Sequence, residues 1–267
     1  MYKQISSTQN SAIKRLFQLH EKSRTRKKEG VFIVEGIREI SLAIKGRFEI
    51  SELYFCGELF SSEQISALLN NNQFQPEVTE ISTEVYNKIA YRGSTEGLLA
   101  VVKSKDLTLK NIQLNSDNLL ILVAEALEKP GNIGALLRTA DAANLDAVLI
   151  ANPKTDLFNP NIIRSSVGCV FTNKLAVGST SEIIAFLKEK KVAIYAAALQ
   201  ATKNYSDMNF KSSCAIVVGT EDTGLSEEWM ENSTQNILIP MQGEIDSMNV
   251  SVAAGILIFE AKRQRGF

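Results

Sequence analysis

The stretch from Asn236 to Phe259 constrains this chain more than any other. It reads N-I-L-I-P-M-Q-G-E-I-D-S-M-N-V-S-V-A-A-G-I-L-I-F. Asn236 to Ile239 has the length and apolarity of a short buried strand. Pro240 ends its ladder for want of an N–H, and Gly243 permits a tight turn. A helix is predicted from Met248 with Ser247 as its cap. Val250, Val252, Ala253, Ala254, Ile256, Leu257, Ile258 and Phe259 leave it almost no polar face, so it has to be buried. Ser247, Asn249 and Ser251 then stand at the mouth of an apolar element, where an unsatisfied polar group costs about 1–3 kcal/mol. Two readings follow: a cap plus a core hydrogen bonder, or a ligand loop between a strand end and a buried helix, where open α/β sheets place their sites.

The rest of the chain alternates strands and helices. Strands are expected near 31–34, 51–56, 78–81 and 98–102, with helices near 11–22, 37–45, 62–69 and 83–90, a pattern for a small α/β/α domain. Between Lys103 and Asn118 the composition turns to Lys, Asp, Thr, Asn and Ser, which reads as a linker. The domains are therefore 1–104, a linker at 105–118, and 119–267. In the second domain strands are expected at Leu119–Ala124, Ala147–Ile150, Val170–Leu175, Val192–Ala197, Ala215–Val218 and Ile237–Ile239. Their continuous apolarity points to a parallel sheet covered on both faces.

Composition excludes several chemistries. The single histidine, His20, lies in a charged segment, so Ser-His or Cys-His catalysis has little to work with. Cys56, Cys169 and Cys214 sit far apart in apolar runs, which supports buried thiols and neither disulfides nor a metal site. No apolar segment reaches the roughly 20 residues a membrane span needs, and Met1 to Ser7 has no signal-peptide core, so a cytoplasmic protein is expected. The net charge of −1 is unevenly spread. Residues 1–30 hold Lys3, Lys14, Arg15, Lys22, Arg24, Arg26, Lys27 and Lys28 against Glu21 and Glu29, an imbalance that suits either a solvated face or phosphate binding.

Two further stretches carry polar groups at strand ends. E-K-P-G-N-I-G-A-L-L-R-T-A-D from Glu128 to Asp141 follows the strand at Leu119. Its helix has a core stripe of Ile133, Leu136, Leu137 and Ala140, with Arg138 off that stripe. V-V-G-T-E-D-T-G-L-S from Val217 to Ser226 ends a buried strand in a glycine and an acidic loop, with Ser226 as the next cap and Glu221 at the carboxyl edge of the sheet. Neither stretch contains G-x-G-x-x-G or G-x-x-x-x-G-K-[ST], so nicotinamide-dinucleotide and P-loop readings lack their phosphate cradles.

Taken in order and spacing, N-x-G-x-x-x-R-T-A at Asn132 to Ala140, G-T-E-x-x-G-L at Gly219 to Leu225 and I-P-M-x-G-x-x-x-S-M-N-V-S-V-A at Ile239 to Ala253 resemble the three motifs of the SpoU/TrmH family of SPOUT RNA methyltransferases. Asn159 to Gly168, including Arg164, is similar to the segment linking the family's first two motifs. Ser6 to Asn10, Phe32 to Gly36 and Gly97 to Val101 resemble the substrate-binding domain fused to many members. The resemblance implies an N-terminal L30e/L7Ae-like α/β/α domain and a C-terminal trefoil-knotted SPOUT parallel-sheet domain. It also implies S-adenosylmethionine held by Gly219, Thr220, Ile239, Met248 and Leu199, and methyl transfer to a ribose 2′-hydroxyl of RNA by a homodimer with no metal and no membrane. Asn132, Arg138, Glu221, Ser247 and Asn249 become the catalytic set, and Lys14, Arg24, Arg26, Lys27, Lys28 and Arg164 the RNA contacts. The family role of Arg138 is proton acceptance. A guanidinium has five donors and no acceptor, so its chemistry favours holding a phosphate or hydroxyl. The sequence departs from the family at Met248, where leucine is common, at Glu128-Lys129, where an aspartate is usual, and at Asn144, which replaces a glycine and tolerates φ > 0. Ribosomal RNA of the large subunit is the expected substrate; transfer RNA, or an RNA-binding assembly protein without activity, are the alternatives.

Overall fold

The computed structural model describes residues 2–70, 73–90, 96–220, 222–245 and 247–267. The chain forms two units, Met1–Lys105 with Asp156–Thr172, and Asp106–Thr155 with Asn173–Phe267.

The first unit opens with β1 (Lys3–Ile5), α1 (Ser11–Glu21), α2 (Ser23–Glu29), β2 (Val31–Glu35), α3 (Ile37–Lys45) and β3 (Ile50–Cys56). It continues with α4 (Ser62–Leu69), β4 (Glu77–Ile81), α5 (Thr83–Ile89) and β5 (Leu98–Lys103). The sheet order is β1-β4-β3-β5-β2, parallel from β1 to β3 and antiparallel where β5 pairs with β3 and β2. Alternation along the strands sorts the core: Val31, Ile33, Tyr54, Cys56, Leu99 and Val101 meet Ile13, Leu16 and Leu19 of α1 and Val85 and Ile89 of α5.

The second unit starts with β6 (Leu120–Glu125), α6 (Pro130–Ala142) and β7 (Ala147–Ala151). Pro130 occupies the first helical turn, where its missing N–H costs nothing. Asn144 closes the exit of α6 at φ 48, the left-handed backbone expected where the family has a glycine.

The chain then leaves for the first unit. Residues 156–172, with α7 (Pro160–Ser165), pack there: Phe158 stacks on Phe32 at 4.3 Å, Phe171 lies 6.0 Å from the same ring, and Asp156 takes a 2.7 Å bond from Arg26 Nε. This corrects the expected strand Val170–Leu175. Gly168 turns the chain at φ 82, Cys169–Phe171 is a buried helical turn, and the strand begins at Leu175. An apolar run read as a sheet strand is apolar because it fills the aromatic core of the other unit.

The second unit resumes with β8 (Leu175–Gly178), α8 (Thr180–Glu189), β9 (Ala193–Ala197), the two-residue β10 (Lys203–Asn204), β11 (Cys214–Val218), α9 (Glu227–Asn232), β12 (Gln235–Leu238) and α10 (Val250–Arg265). All seven strands are parallel in the order β10-β12-β9-β11-β6-β7-β8. Helices α8 and α9, with Trp229, cover one face, while α10 packs on α6 and β11. The polar stretch read as a linker is tied to the sheet edge from Asp106 onward, since Leu107 O accepts from Val177 N at 2.7 Å and Thr108 bridges to Val177. The three cysteines are buried thiols outside any disulfide.

Two expectations for the last helix change. It starts at Val250 with Asn249 as cap, its side chain accepting from Ser251 N, so Ser247 stays in the loop. It is also not buried all round. Val250, Ala254, Leu257, Ile258 and Ala261 form the buried stripe, while Val252 is 54% and Phe259 42% exposed. The helix end is clamped by Arg265, whose guanidinium donates to Phe210 O at 2.8 Å, Asn118 O at 3.0 Å, Leu119 O at 3.0 Å and Ser212 O at 2.6 Å. Those carbonyls lie just before β6 and β11, so one side chain ties the chain's end to the centre of the sheet. Arg265→Ala is expected to cost about 2–3 kcal/mol and to lower the thermal midpoint by about 5–10 °C, read by calorimetry. A shift under about 2 °C would remove the clamp from the list of stabilising contacts.

Candidate cofactor cleft and its surroundings

At the carboxyl edge of the parallel sheet the chain leaves β9, β11 and β12 into three loops that surround an open cleft of about 180 Å³. Leu199 and Gln200 follow β9, Gly219 to Leu225 follow β11, and Ile239 and Met241 follow β12. Ser247, Met248, Val250 and Ala253 close it from the start of α10. All five residues expected to hold a cofactor, Gly219, Thr220, Ile239, Met248 and Leu199, line this cleft together with Ser247. Among the described residues its one charged lining side chain is Asp222, a lining that would favour a cationic ligand over an anionic one.

The loop after β11 is held by its own bonds. Thr220 N donates to Gly224 O at 3.2 Å and Gly224 N returns to Thr220 O at 3.0 Å. Thr223 N donates to Thr220 Oγ1 at 3.1 Å, and the two threonine hydroxyls are 2.7 Å apart. Gly224 sits at φ 68, and Gly219 is packed so closely that an added Cβ would overlap the Gly224 carbonyl. Glu221 falls outside the described residues.

Behind this loop stands a group the sequence reading missed. Glu125 closes β6, is 4% exposed and accepts from Thr180 Oγ1 at 2.6 Å, Ser226 Oγ at 2.8 Å and Ser226 N at 2.8 Å. A buried carboxylate is tolerated only with its lone pairs filled in this way. Ser226 precedes α9 as expected, but its hydroxyl goes to Glu125 and makes no cap bond. The sequence signal was an acidic residue ending an otherwise apolar strand.

The first and third motifs meet directly. Asn249 Nδ2 donates to Asn132 Oδ1 at 3.1 Å across 117 residues, while Asn249 Oδ1 accepts from Ser251 N at 3.0 Å and Ser251 Oγ at 2.5 Å. Arg138 is exposed on α6, away from the stripe of Ile133, Leu136, Leu137 and Ala140, and is not among the described residues lining the cleft.

In the first unit, Lys14, Arg24, Lys27, Lys28 and Arg164 are exposed. Arg26 is not, and its expected RNA contact has to be corrected. It is 4% exposed, bound to Asp156 at 2.7 Å and donating from Nη1 to Leu19 O at 2.8 Å and His20 O at 3.0 Å. Burial, aided by the Arg26 charge, lowers the His20 pKa to about 4, which keeps the chain's one imidazole neutral near pH 7.

A seven-stranded parallel sheet with an apolar cleft among the loops of its last strands, joined to a separate α/β unit, defines a SPOUT-type methyltransferase with an appended substrate-binding domain. Residues 119–259 match the SpoU rRNA Methylase family, and residues 10–100 match the MRM3-like substrate binding domain. The chain belongs to the SpoU rRNA Methylase family. It is 27% identical over 260 residues to the 23S rRNA (guanosine(2553)-2'-O)-methyltransferase RlmP of Bacillus subtilis, covering 97% of this chain and 99% of that protein. Among solved structures it resembles an RNA 2'-O ribose methyltransferase, with 36% identity and TM-score 0.84 over 99% of this chain and 100% of that one. It also resembles the SpoU methyltransferase AviRb from Streptomyces viridochromogenes in complex with the cofactor AdoMet, with 25% identity and TM-score 0.86 over 96% and 98% of the two chains.

Proposed function

We propose that this chain is an S-adenosylmethionine-dependent methyltransferase acting on a ribose 2′-hydroxyl of 23S ribosomal RNA. The observation that carries the reading is the cleft, where residues from three separated loops converge beside the Asn132–Asn249 contact. S-adenosylmethionine supplies the methyl group as a sulfonium. Gly219, Thr220, Ile239, Met248 and Leu199, which line the cleft, would hold it there.

A 2′-hydroxyl is a poor nucleophile, so the chain's own work is to align it and to handle one proton. Ser247 and Asn249 hold the hydroxyl at the cleft mouth, with Asn132 fixing the Asn249 carboxamide. Arg138 holds the neighbouring phosphate or hydroxyl, and Glu221 completes the set. The reading includes the trefoil knot and a homodimer. The exposed apolar Val252 and Phe259 on α10 favour a partner copy there, and Arg138, outside its own cleft, serves the cleft of the partner. The reading includes a cytoplasmic protein, consistent with the lack of a membrane-crossing helix among the described residues.

The test is transfer of labelled methyl from S-adenosylmethionine into separated large-subunit, small-subunit and transfer RNA, followed by alkaline hydrolysis. Label in an alkali-resistant dinucleotide of 23S RNA is the expected result. Label only in transfer RNA would move the substrate, and no label with intact cofactor binding would leave a binding protein.

RNA gripping is assigned to the first unit, through Lys14, Arg24, Lys27, Lys28 and Arg164. Replacing Lys27 and Lys28 together by glutamine is expected to weaken RNA binding and to flatten its dependence on log salt by about 1–2. An unchanged slope in filter binding would make that cluster a solvated face.

A further inference from the structure

The strand order of the second unit reverses at β6. Strands β7 and β8 lie on one side of it, and β11, β9, β12 and β10 on the other. Connections that leave such a point on opposite faces open a crevice at the carboxyl ends of the strands. The cofactor cleft is not in that crevice, because it sits among β9, β11 and β12. The crevice holds a second hollow of about 440 Å³, lined by Glu125, Asn152, Lys154, Thr220, Thr223 and Ser226 among others.

Its chemistry differs from that of the cleft. The carboxylate at its floor, Glu125, is filled by the three donors from Thr180 and Ser226 and has little left to offer a cation. Lys154 is exposed and makes no ion pair among the described residues. Thr220 and Thr223 share one hydroxyl hydrogen between them, which leaves the other to donate outward. Asn152 is held in the left-handed region at φ 48, its N–H donating to Gly178 O at 2.9 Å and its amide nitrogen to Thr180 Oγ1 at 2.9 Å. The buried Glu125 charge is offset by the exposed Lys154 ammonium in the same hollow, and that cation with an outward hydroxyl donor at the rim suits an anion of no more than a single charge, oxygen-rich and held on the solvent side of the carboxylate.

We propose that this hollow binds a phosphodiester of the RNA substrate through Lys154 and the Thr220–Thr223 hydroxyl pair. The assignment rests on the RNA methyltransferase reading above and extends it with a contact on the catalytic unit itself. Thr220, Thr223, Gly224 and Leu225 line both hollows, so the loop is a partition one chain thick. A phosphate behind it runs the RNA strand along the wall whose front faces the cofactor.

The experiment is filter binding of a 23S ribosomal RNA transcript to the full chain across a salt series, for the parent, Lys154→Glu and Lys154→Arg. S-adenosylhomocysteine binding is measured in parallel by calorimetry. Lys154→Glu is expected to bind RNA about tenfold more weakly, with a salt slope lower by about one, while Lys154→Arg stays near the parent. Cofactor-product affinity and thermal midpoint stay at parent values in both. RNA affinity within about twofold of the parent and an unchanged slope for Lys154→Glu would overturn the site. A joint fall of RNA binding, S-adenosylhomocysteine binding and thermal midpoint would overturn it as well, by making Lys154 structural. If the parent binds S-adenosylhomocysteine but no RNA, both the site and the RNA substrate fall; if it binds neither, the methyltransferase reading falls first.

Discussion

Gly219→Ala is expected to remove cofactor binding although it adds a single methyl group. The added Cβ would overlap the Gly224 carbonyl and lie 2.7 Å from Leu225 N. These are backbone atoms and cannot rotate away. The backbone at Gly219 is not left-handed, so the obstacle is space and not conformation. The loop cannot yield locally either, since Thr220 and Gly224 are paired and its far end is fixed by Ser226 on Glu125. Relief requires the whole loop to lift off β11, into the cleft. Overpacking of this kind costs about 1–3 kcal/mol, and a rigid neighbour puts it at the upper end. Spent on the wall of the cleft, that amounts to a dissociation constant for S-adenosylhomocysteine raised by about a hundredfold. Gly224→Ala is the matched control. Nothing lies within 4 Å of a Cβ there, and only the strain of φ 68 opposes it, so stability drops by about 1 kcal/mol with little change in affinity. Calorimetric titration of both variants decides the matter, and near-parent affinity in Gly219→Ala would mean the loop does not form the cofactor wall.

The elements that periodicity specifies were legible: the stripe of α6, the apolar strands of a covered parallel sheet, and the glycine-ended turn after β11. What failed depended on partners far along the chain. Arg26 looks like its neighbours Arg24, Lys27 and Lys28 because composition cannot tell which side of a seven-residue helix faces inward, and its partner Asp156 is 130 residues away. Residues 170–175 were read as one strand, and only the packing of Phe171 against Phe32 shows why the strand does not begin until Leu175. The cap of α10 moved by two positions because Ser247 and Asn249 are both good cap residues. Asn249 takes the role with its carbonyl oxygen on Ser251 while its amide reaches Asn132, which also fixes where the helix can start. That Gly219, Thr220, Ile239, Met248, Leu199 and Ser247 line one cleft was legible for a different reason: they follow strand ends or precede a helix start, where local structure marks the same short stretches. Glu125 escaped because a single acidic residue after five buried ones reads as the end of a strand, and its three donors come from two other segments.

Arg138→Ala is expected to stop methyl transfer and to leave the rest of the protein as it was. The side chain is exposed and off the buried stripe of α6, so the helix keeps Ile133, Leu136, Leu137 and Ala140 in place and the thermal midpoint stays within about 2 °C. It does not line the described cleft, so S-adenosylhomocysteine affinity is unchanged. What is lost is a fixed, charged set of donors at the reacting ribose, worth about 10²–10³ in turnover when one such contact is removed from an active site. Arg138→Lys should recover little, because an ammonium cannot reproduce the planar fork that grips a phosphate or hydroxyl in one orientation. The proposed homodimer adds a sharper outcome. If Arg138 serves the cleft of the other copy, Arg138→Ala and Gly219→Ala disable opposite sides of one composite site. Subunits of the two inactive variants mixed at random then leave about a quarter of sites intact, since half of the dimers are mixed and each mixed dimer has one unaltered site. Activity that returns on mixing supports a site shared between copies. A mixture as inactive as its components, with mixed dimers shown to form, would return Arg138 to its own chain's cleft, and full turnover in Arg138→Ala alone would end its role in transfer.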